Sequence, residues 1–280
     1  MNKKLIHLKE KQRSAIYSVL AILICMIFMF PLYWIIVSSF KIDGEIFANP
    51  PTLWPKQFTL DAYILQLQTI ALPFRNSVII ASCSMLISAC LSIPAAYGLA
   101  RYKVPGKRTF LMTFLITQML PASLVLTPLY LIFARLSLTN NLLAPILSTA
   151  TVTIPFNILM LRPALLNCPR ELEDAAKIDG CNTFSCFIRI IIPIFKSSII
   201  TAAAFGFIMS WNDLVYSMTF NTKETLRPMT TSIYTFMNQY GTQWNQIMAY
   251  GVLLILPIAV VFLTLQKHIV SGLVSGSVKG

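Results

Sequence analysis

Long uncharged apolar runs divide the 280-residue chain, and short polar, basic or proline-bearing segments separate them. Positions 15–40, 76–100, 109–134 and 136–161 contain no Asp, Glu, Lys or Arg. A fifth run, about 197–218, is polar at its far end and interrupted by Asp213, and a sixth covers about 247–266. A hydrocarbon core about 30 Å thick needs about 20 apolar residues in a helix, so each run predicts a membrane span. The alternation over about ten residues that marks barrel strands is absent. The pattern predicts an all-α membrane protein with six transmembrane helices.

Composition supports that solvent. Hydrophobic residues make up 56% of the chain and charged ones 11%, against about 25% charged in a soluble domain. A disordered chain, a nucleic-acid-binding domain and nearly every water-soluble enzyme are excluded. The net charge of +12 is spread unevenly. Sixteen of the 22 basic residues fall in the N-terminal arm, 101–108, 162–196 and the tail from Lys267, and acidic residues divide equally between the two faces. Excess Lys and Arg mark the cytoplasmic face, so both termini are expected there. The basic stretch 1–14 leads into an apolar run too long for a signal-peptide core, which reads as an uncleaved first helix.

Site chemistry is sparse. The six cysteines fit neither a disulfide framework nor a closed zinc site, the sequence around His7 and His268 shows no catalytic pattern, and no GxxxxGK[ST] phosphate loop occurs. Prolines 94, 121, 128, 145, 155 and 257 interrupt the spans, where freed carbonyls need neighbours or a wet cavity. Gln118, Asn157, Trp211, Asn212 and Asp213 are the candidate lining of a translocation path, with a capping role for Asp213 equally open.

The 162–196 stretch carries the clearest signal. Pro169 suits a first helical position, Glu171, Glu173 and Asp174 favour the N-terminal dipole, and Gly180 suits a left-handed C′ turn. A helix over 169–179 is predicted, with Leu172, Ala175 and Ala176 on one face, followed by a second helix capped by Asn182 or Thr183 that runs into the fifth span. Such a helix can dock into a soluble partner or lie on the membrane surface.

The segment Asp174-Ala175-Ala176-x3-Gly180-x9-Ile190-x-Ile192-Pro193 resembles the EAA loop of ABC importer permeases, with Asp in place of Glu and Ile192 in place of Leu. Glu171 through Gly180, Trp211-Asn212-Asp213 and the ending Gly272-Leu273-x2-Gly276-x-Val278-Lys279-Gly280 are similar to the carbohydrate-uptake branch, near the smaller membrane subunit of maltose-type systems. The resemblance implies a type I ABC importer permease fold and a permease subunit of a sugar importer in a bacterial cell membrane. On this reading 1–14 is a cytoplasmic arm, 15–40 the first helix, 41–71 an external loop, 72–266 the permease core and 267–280 a cytoplasmic tail.

The resemblance further implies a second permease subunit in a heterodimer, two cytoplasmic ATPase subunits, an extracytoplasmic solute-binding protein, a sugar or oligosaccharide substrate, membrane lipid and no nucleic acid. ATP and Mg would be bound by the ATPase, with no cofactor on this chain, which is not itself an enzyme. Glu171, Glu173, Asp174, Ala175, Ala176, Gly180 and Pro193 would form the ATPase-coupling set, and Gly272, Gly276 and Lys279 a tail contact. A non-sugar ABC permease and an ion-coupled secondary transporter are the alternatives; the latter's inverted repeats are not visible. Labelling a single cysteine at position 180 in a cysteine-free background should require permeabilised cells. Labelling from outside intact cells would reverse the topology.

Overall fold

The computed structural model describes residues 2–238 and 241–277, with side chains described for 16–237 and 241–268. Two compact units emerge, one of residues 1–68 with 235–253 and one of 69–234 with 254–280. Helices dominate both: α1 (Asn2–Ser38), α2 (Ala71–Arg101), α3 (Lys107–Met119), α4 (Ala122–Arg135), α5 (Leu143–Leu166), α6 (Glu171–Ile178), α7 (Thr183–Cys186), α8 (Lys196–Trp211), α9 (Val215–Phe220) and α10 (Trp244–Ser277). The only described strands are a two-residue antiparallel pair, Met237 opposite Thr242.

Among the described residues, four helices are each long and apolar enough to cross a bilayer: Ile16–Ser38 of α1, then α2, α5 and Trp244–His268 of α10. Two further candidates are bent. The predicted single span over 109–134 is instead α3 and α4, meeting at 101°. Pro121 causes this: it disfavours helical dihedrals at the residue before it, and Leu120 is extended at φ −77°, ψ 126°.

The expected run from 136 also starts late, at Leu143. Ser137 and Asn140 take φ of 55°, and the Asn140 carboxamide accepts the backbone N–H groups of Thr222 and Lys223 at 2.9 and 3.1 Å. That loop is held by contacts distant in sequence. The helix after Asn182 does not run straight into the fifth span either. Residues Phe187–Ile191 form a π-turn, and the chain then bends by 80° into α8. Pro193 lacks the N–H that would continue the ladder, and its ring crowds the preceding turn.

A polar seam joins α2, α5 and α8 in the second unit. Ser84 Oγ receives hydrogen bonds from Thr149 Oγ1 and Ser210 Oγ, each at 2.9 Å. One turn on, Gly206 lies so close that a Cβ would meet Ser88 Oγ at 3.2 Å and Thr153 Cγ2 at 3.3 Å. The four-residue repeat brings Ser92, Asn157 and Ala202 to the next level, all of them fully buried. Interhelical bonds of this kind average about 0.6 kcal/mol in membranes. The seam therefore fixes register more than it adds stability, and small residues let the backbones approach. Beyond it Ala96, Tyr97, Ile158, Leu161, Leu165 and Ile191 form an apolar cluster.

The C-terminal segment past Lys267 is helical. α10 continues through Gly272 and Gly276 to Ser277, because extending an existing helix avoids the cost of a new nucleus. Lys279 lies outside the described residues.

Gly206→Leu should wedge α8 from α2 and α5 and destabilise the protein by about 1–3 kcal/mol. The apparent unfolding midpoint in detergent should fall; an unchanged midpoint would mean that the close approach is not needed.

Candidate functional site

The segment from Cys168 to Pro193 is a shaped surface built on a short helix. The Arg170 backbone carbonyl starts α6 by accepting from the N–H groups of Glu173 and Asp174 at 2.9 and 3.0 Å. Three acidic residues in the first turn, Glu171, Glu173 and Asp174, face the positive end of the helix dipole. At the other end Cys181 N–H donates to the Ala176 carbonyl (2.9 Å) and Gly180 N–H to the Lys177 carbonyl (3.0 Å). That pair is a Schellman closure. It requires the left-handed φ of 84° at Gly180, a conformation costly for any residue with a Cβ. Asn182 Oδ1 then accepts from Ser185 N–H at 2.8 Å and caps α7.

One narrow face of this helix looks inward, through Glu173 and Ala176. The Glu173 carboxylate lies 2.6 Å from Arg101 Nε and accepts from Tyr97 Oη at 3.1 Å. Both ionised side chains are nearly buried, at 7% exposure for Arg101 and 13% for Glu173. Arg101 also donates from Nη2 to the Cys168 carbonyl at 2.9 Å. Ala176 and Cys186 are buried beside them, and the Tyr97 ring meets Phe187 at 5.0 Å. The last turn of α2 thus grips both the entry to α6 and its first turn. Burial pushes the Cys168 thiol up from its ordinary range, which keeps it unreactive.

The rest of the helix is open. Glu171, Leu172, Asp174 and Ala175 are exposed, and a Cβ added at Gly180 would meet nothing within 4 Å. Ile178 is 87% exposed and Phe184 73%, so two large apolar side chains flank the Gly180 turn. Lys177 and Asp174 pair at 3.1 Å on this surface, and that hydrogen bond holds the ammonium above its usual range. Exposed and screened, the pair contributes little to stability.

The expected coupling set therefore separates. Glu171, Asp174, Ala175 and Gly180 present themselves outward. Glu173 and Ala176, three residues apart and so on one helix face, turn into the chain's own fold. Ala176 does not share an exposed stripe with Leu172 and Ala175, because the inner face is claimed by Arg101 and Tyr97. Pro193 sits just beyond the π-turn, in the short helical stretch that precedes the bend. Arg101 and Tyr97, spaced i, i+4 at the end of α2, escaped the sequence reading; a Tyr-x3-Arg facing an acidic helix was the available signal.

The residues expected along a path are not gathered into one lining. Gln118 Nε2 donates to the Val152 carbonyl at 3.0 Å, joining α3 to α5. Asn157 is buried in the seam, with neither amide atom hydrogen-bonded. Trp211 is 1% exposed, donates Nε1–H to the Leu254 carbonyl at 3.2 Å and packs on Phe74 and Phe207. Asn212 is exposed. Asp213 caps α9, accepting from the N–H groups of Tyr216 (3.2 Å) and Ser217 (2.9 Å) and from Ser217 Oγ (2.8 Å). Trp211 is thus a packed side chain and Asp213 a helix cap.

Replacing Arg101 by Met leaves the Glu173 charge nearly buried and unpaired, a change worth about 3–5 kcal/mol in such settings. Hydrogen exchange across 171–178 should accelerate markedly in Arg101→Met and largely recover in Arg101→Met/Glu173→Leu. Equal rates in the wild type and the single variant would mean that the pair does not hold α6.

Residues 88–275 match the model of the binding-protein-dependent transport system inner membrane component family. A diacetylchitobiose uptake system permease protein of Streptomyces coelicolor is 31% identical, over 94% of this chain and 96% of its own. A trehalose/maltose transport system permease protein of Thermococcus litoralis is 30% identical, over 93% and 95%. Among solved structures, a chain of a bacterial ABC transporter that imports the acidic polysaccharide alginate superposes with a TM-score of 0.77. It is 19% identical, covering 92% of this chain and 97% of that one.

Proposed function

The chain belongs to the binding-protein-dependent transport system inner membrane components, and on that premise we propose that it is a permease subunit of an ATP-driven sugar importer. It is a transporter subunit, not an enzyme. Relatives named for chitobiose and for trehalose or maltose support a sugar or oligosaccharide as the cargo. A second permease, two ATPase subunits and a solute-binding protein complete the assembly, and ATP with Mg is bound on the ATPases. The membrane is a bacterial cell membrane. Counting each bent pair as one crossing gives six spans with both termini cytoplasmic, in line with the basic-residue distribution.

The observation that carries the coupling role is the outward surface of α6: a helix closed by Gly180, flanked by Ile178 and Phe184, and braced from behind by Arg101. Glu171, Asp174 and Ala175 meet the ATPase cleft, while Glu173 acts behind them by tying α6 to α2. A push on the exposed face is then delivered to the end of a membrane-spanning helix through an ion pair and two hydrogen bonds. Gly272 and Gly276 extend α10 toward the same side, and with Lys279 they supply a tail contact to the ATPase dimer. Gln118 and Asn157 lie along the α3–α5 and α2–α5 contacts that shift when the path opens.

Gly180→Asp should abolish uptake of the cognate sugar while membrane insertion persists, because the left-handed turn is strained by roughly 1 kcal/mol or more and a charge enters the docking face. Uptake in cells and co-purification with the ATPase check this. Normal uptake and normal ATPase recovery would make α6 a surface helix without a coupling role.

A further inference from the structure

After α1 ends at Ser38 the chain turns back along the helix it has just left. Tyr33 Oη donates to the Leu53 carbonyl, and Lys41 Nζ donates to the Thr52 carbonyl. The Lys41 ammonium sits 4.7 Å from the Trp34 ring centroid and is 1% exposed. Tyr33 lies five residues before the helix end, about 7.5 Å down the axis at about 1.5 Å per residue. Residues 52–54 are therefore held beside the last turns of an apolar run, Ile16–Ser38, that is long enough to cross a bilayer. The buried Glu45 carboxylate fixes the loop by accepting from Thr52 Oγ1 (2.7 Å) and the N–H groups of Lys56 (2.8 Å) and Gln57 (3.3 Å). Phe58 stacks on Phe40 at 4.9 Å.

We propose that this loop is a lipid-contact element, seated at the headgroup level of the bilayer at that end of α1, with Leu53 and Trp54 as its anchors. Both are apolar and open, at 62% and 71% exposure, and tryptophan suits an interface that is wet on one side and apolar on the other. The backbone is equally adapted. Pro50, Pro51 and Pro55 carry no N–H, so the segment brings few donors that hydrocarbon would leave unsatisfied. The Thr52 and Leu53 carbonyls, held beside the last turns of α1, both receive side-chain donors. In water neither provision is needed. Of the loop's charges, Lys41 and Glu45 are turned inward, the exposed Asp43 accepts from the Asn245 N–H at 2.9 Å, and the exposed Lys56 marks the aqueous edge beside the anchors. This assignment requires only that α1 cross the membrane, not that the cargo be a sugar.

The test uses the full transporter, expressed with its partner subunits in a background lacking the six native cysteines. Nitroxide labels at Leu53→Cys, Trp54→Cys and Lys56→Cys are read in phosphatidylethanolamine/phosphatidylglycerol nanodiscs by collision with oxygen and with a water-soluble nickel chelate. Oxygen collisions should exceed nickel collisions several-fold at 53 and 54, with the order reversed at 56. Nickel dominance at 53 and 54 would place the loop in water and overturn the proposal. Low access to both agents there would overturn it by placing a protein partner over the loop. Positions 53 and 54 are read independently, so that a poorly folded variant at one leaves the other to decide.

Discussion

In hydrocarbon no water satisfies a polar group, and that constraint organises the whole molecule. It explains why Thr149 and Ser210 both bond Ser84 across three helices, leaving the Ser84 and Ser210 hydroxyls satisfied inside the bundle. It accounts for Ser148, Thr149, Thr153 and Thr201, whose hydroxyls also bond back to carbonyls one turn earlier in their own helices. Outside the spans, the Thr52 and Leu53 carbonyls likewise receive donors, from Lys41 and Tyr33. Apolar contact between helices is nearly neutral against lipid, so small residues such as Gly206 and Ala202 matter by letting the seam close. Among the described residues Ser92 and Asn157 depart from this, a buried layer without hydrogen-bond partners, as do Ser38 and Asn221 at helix ends.

A second consequence concerns stiffness. The seam ties α2 to α5 and α8, and at the far end of α2 Arg101 ties the same helix to α6. A nearly buried ion pair adds little net stability, because desolvation offsets most of the attraction. It does impose geometry: with Tyr97 and the Cys168 carbonyl it holds α6 in one orientation relative to the span. Force applied to the open face of α6 therefore reaches the seam through directional contacts rather than through a loose loop. The bends at Pro121 and after Pro193 sit where a continuous helix would have been rigid.

The chain's spans were legible because charge is excluded from hydrocarbon, so uncharged runs near twenty residues stand out whatever their neighbours. The α6 turn was legible for a local reason too: acidic residues at a helix start, Gly180 in a left-handed turn and Asn182 as a cap act within a few residues of one another. The bends were not. Pro121 breaks its span while Pro94, Pro155 and Pro257 stay inside continuous helices, and nothing in the residue type separates them.

Sequence by itself thus determined the solvent, the class of fold, the position of most spans and the shape of the α6 closure, all of which rest on short-range preferences or transfer between water and lipid. Tertiary structure alone decided which face of α6 looks outward, because Glu173 is claimed by a partner 72 residues away. It likewise made Trp211 a packed residue and Asp213 a cap, and it folded residues 52–54 back onto Tyr33 and Lys41. Each of these depends on what lies opposite a side chain in space, and a polar residue in an apolar run carries no mark of whether its partner is a solute, a helix end or another helix.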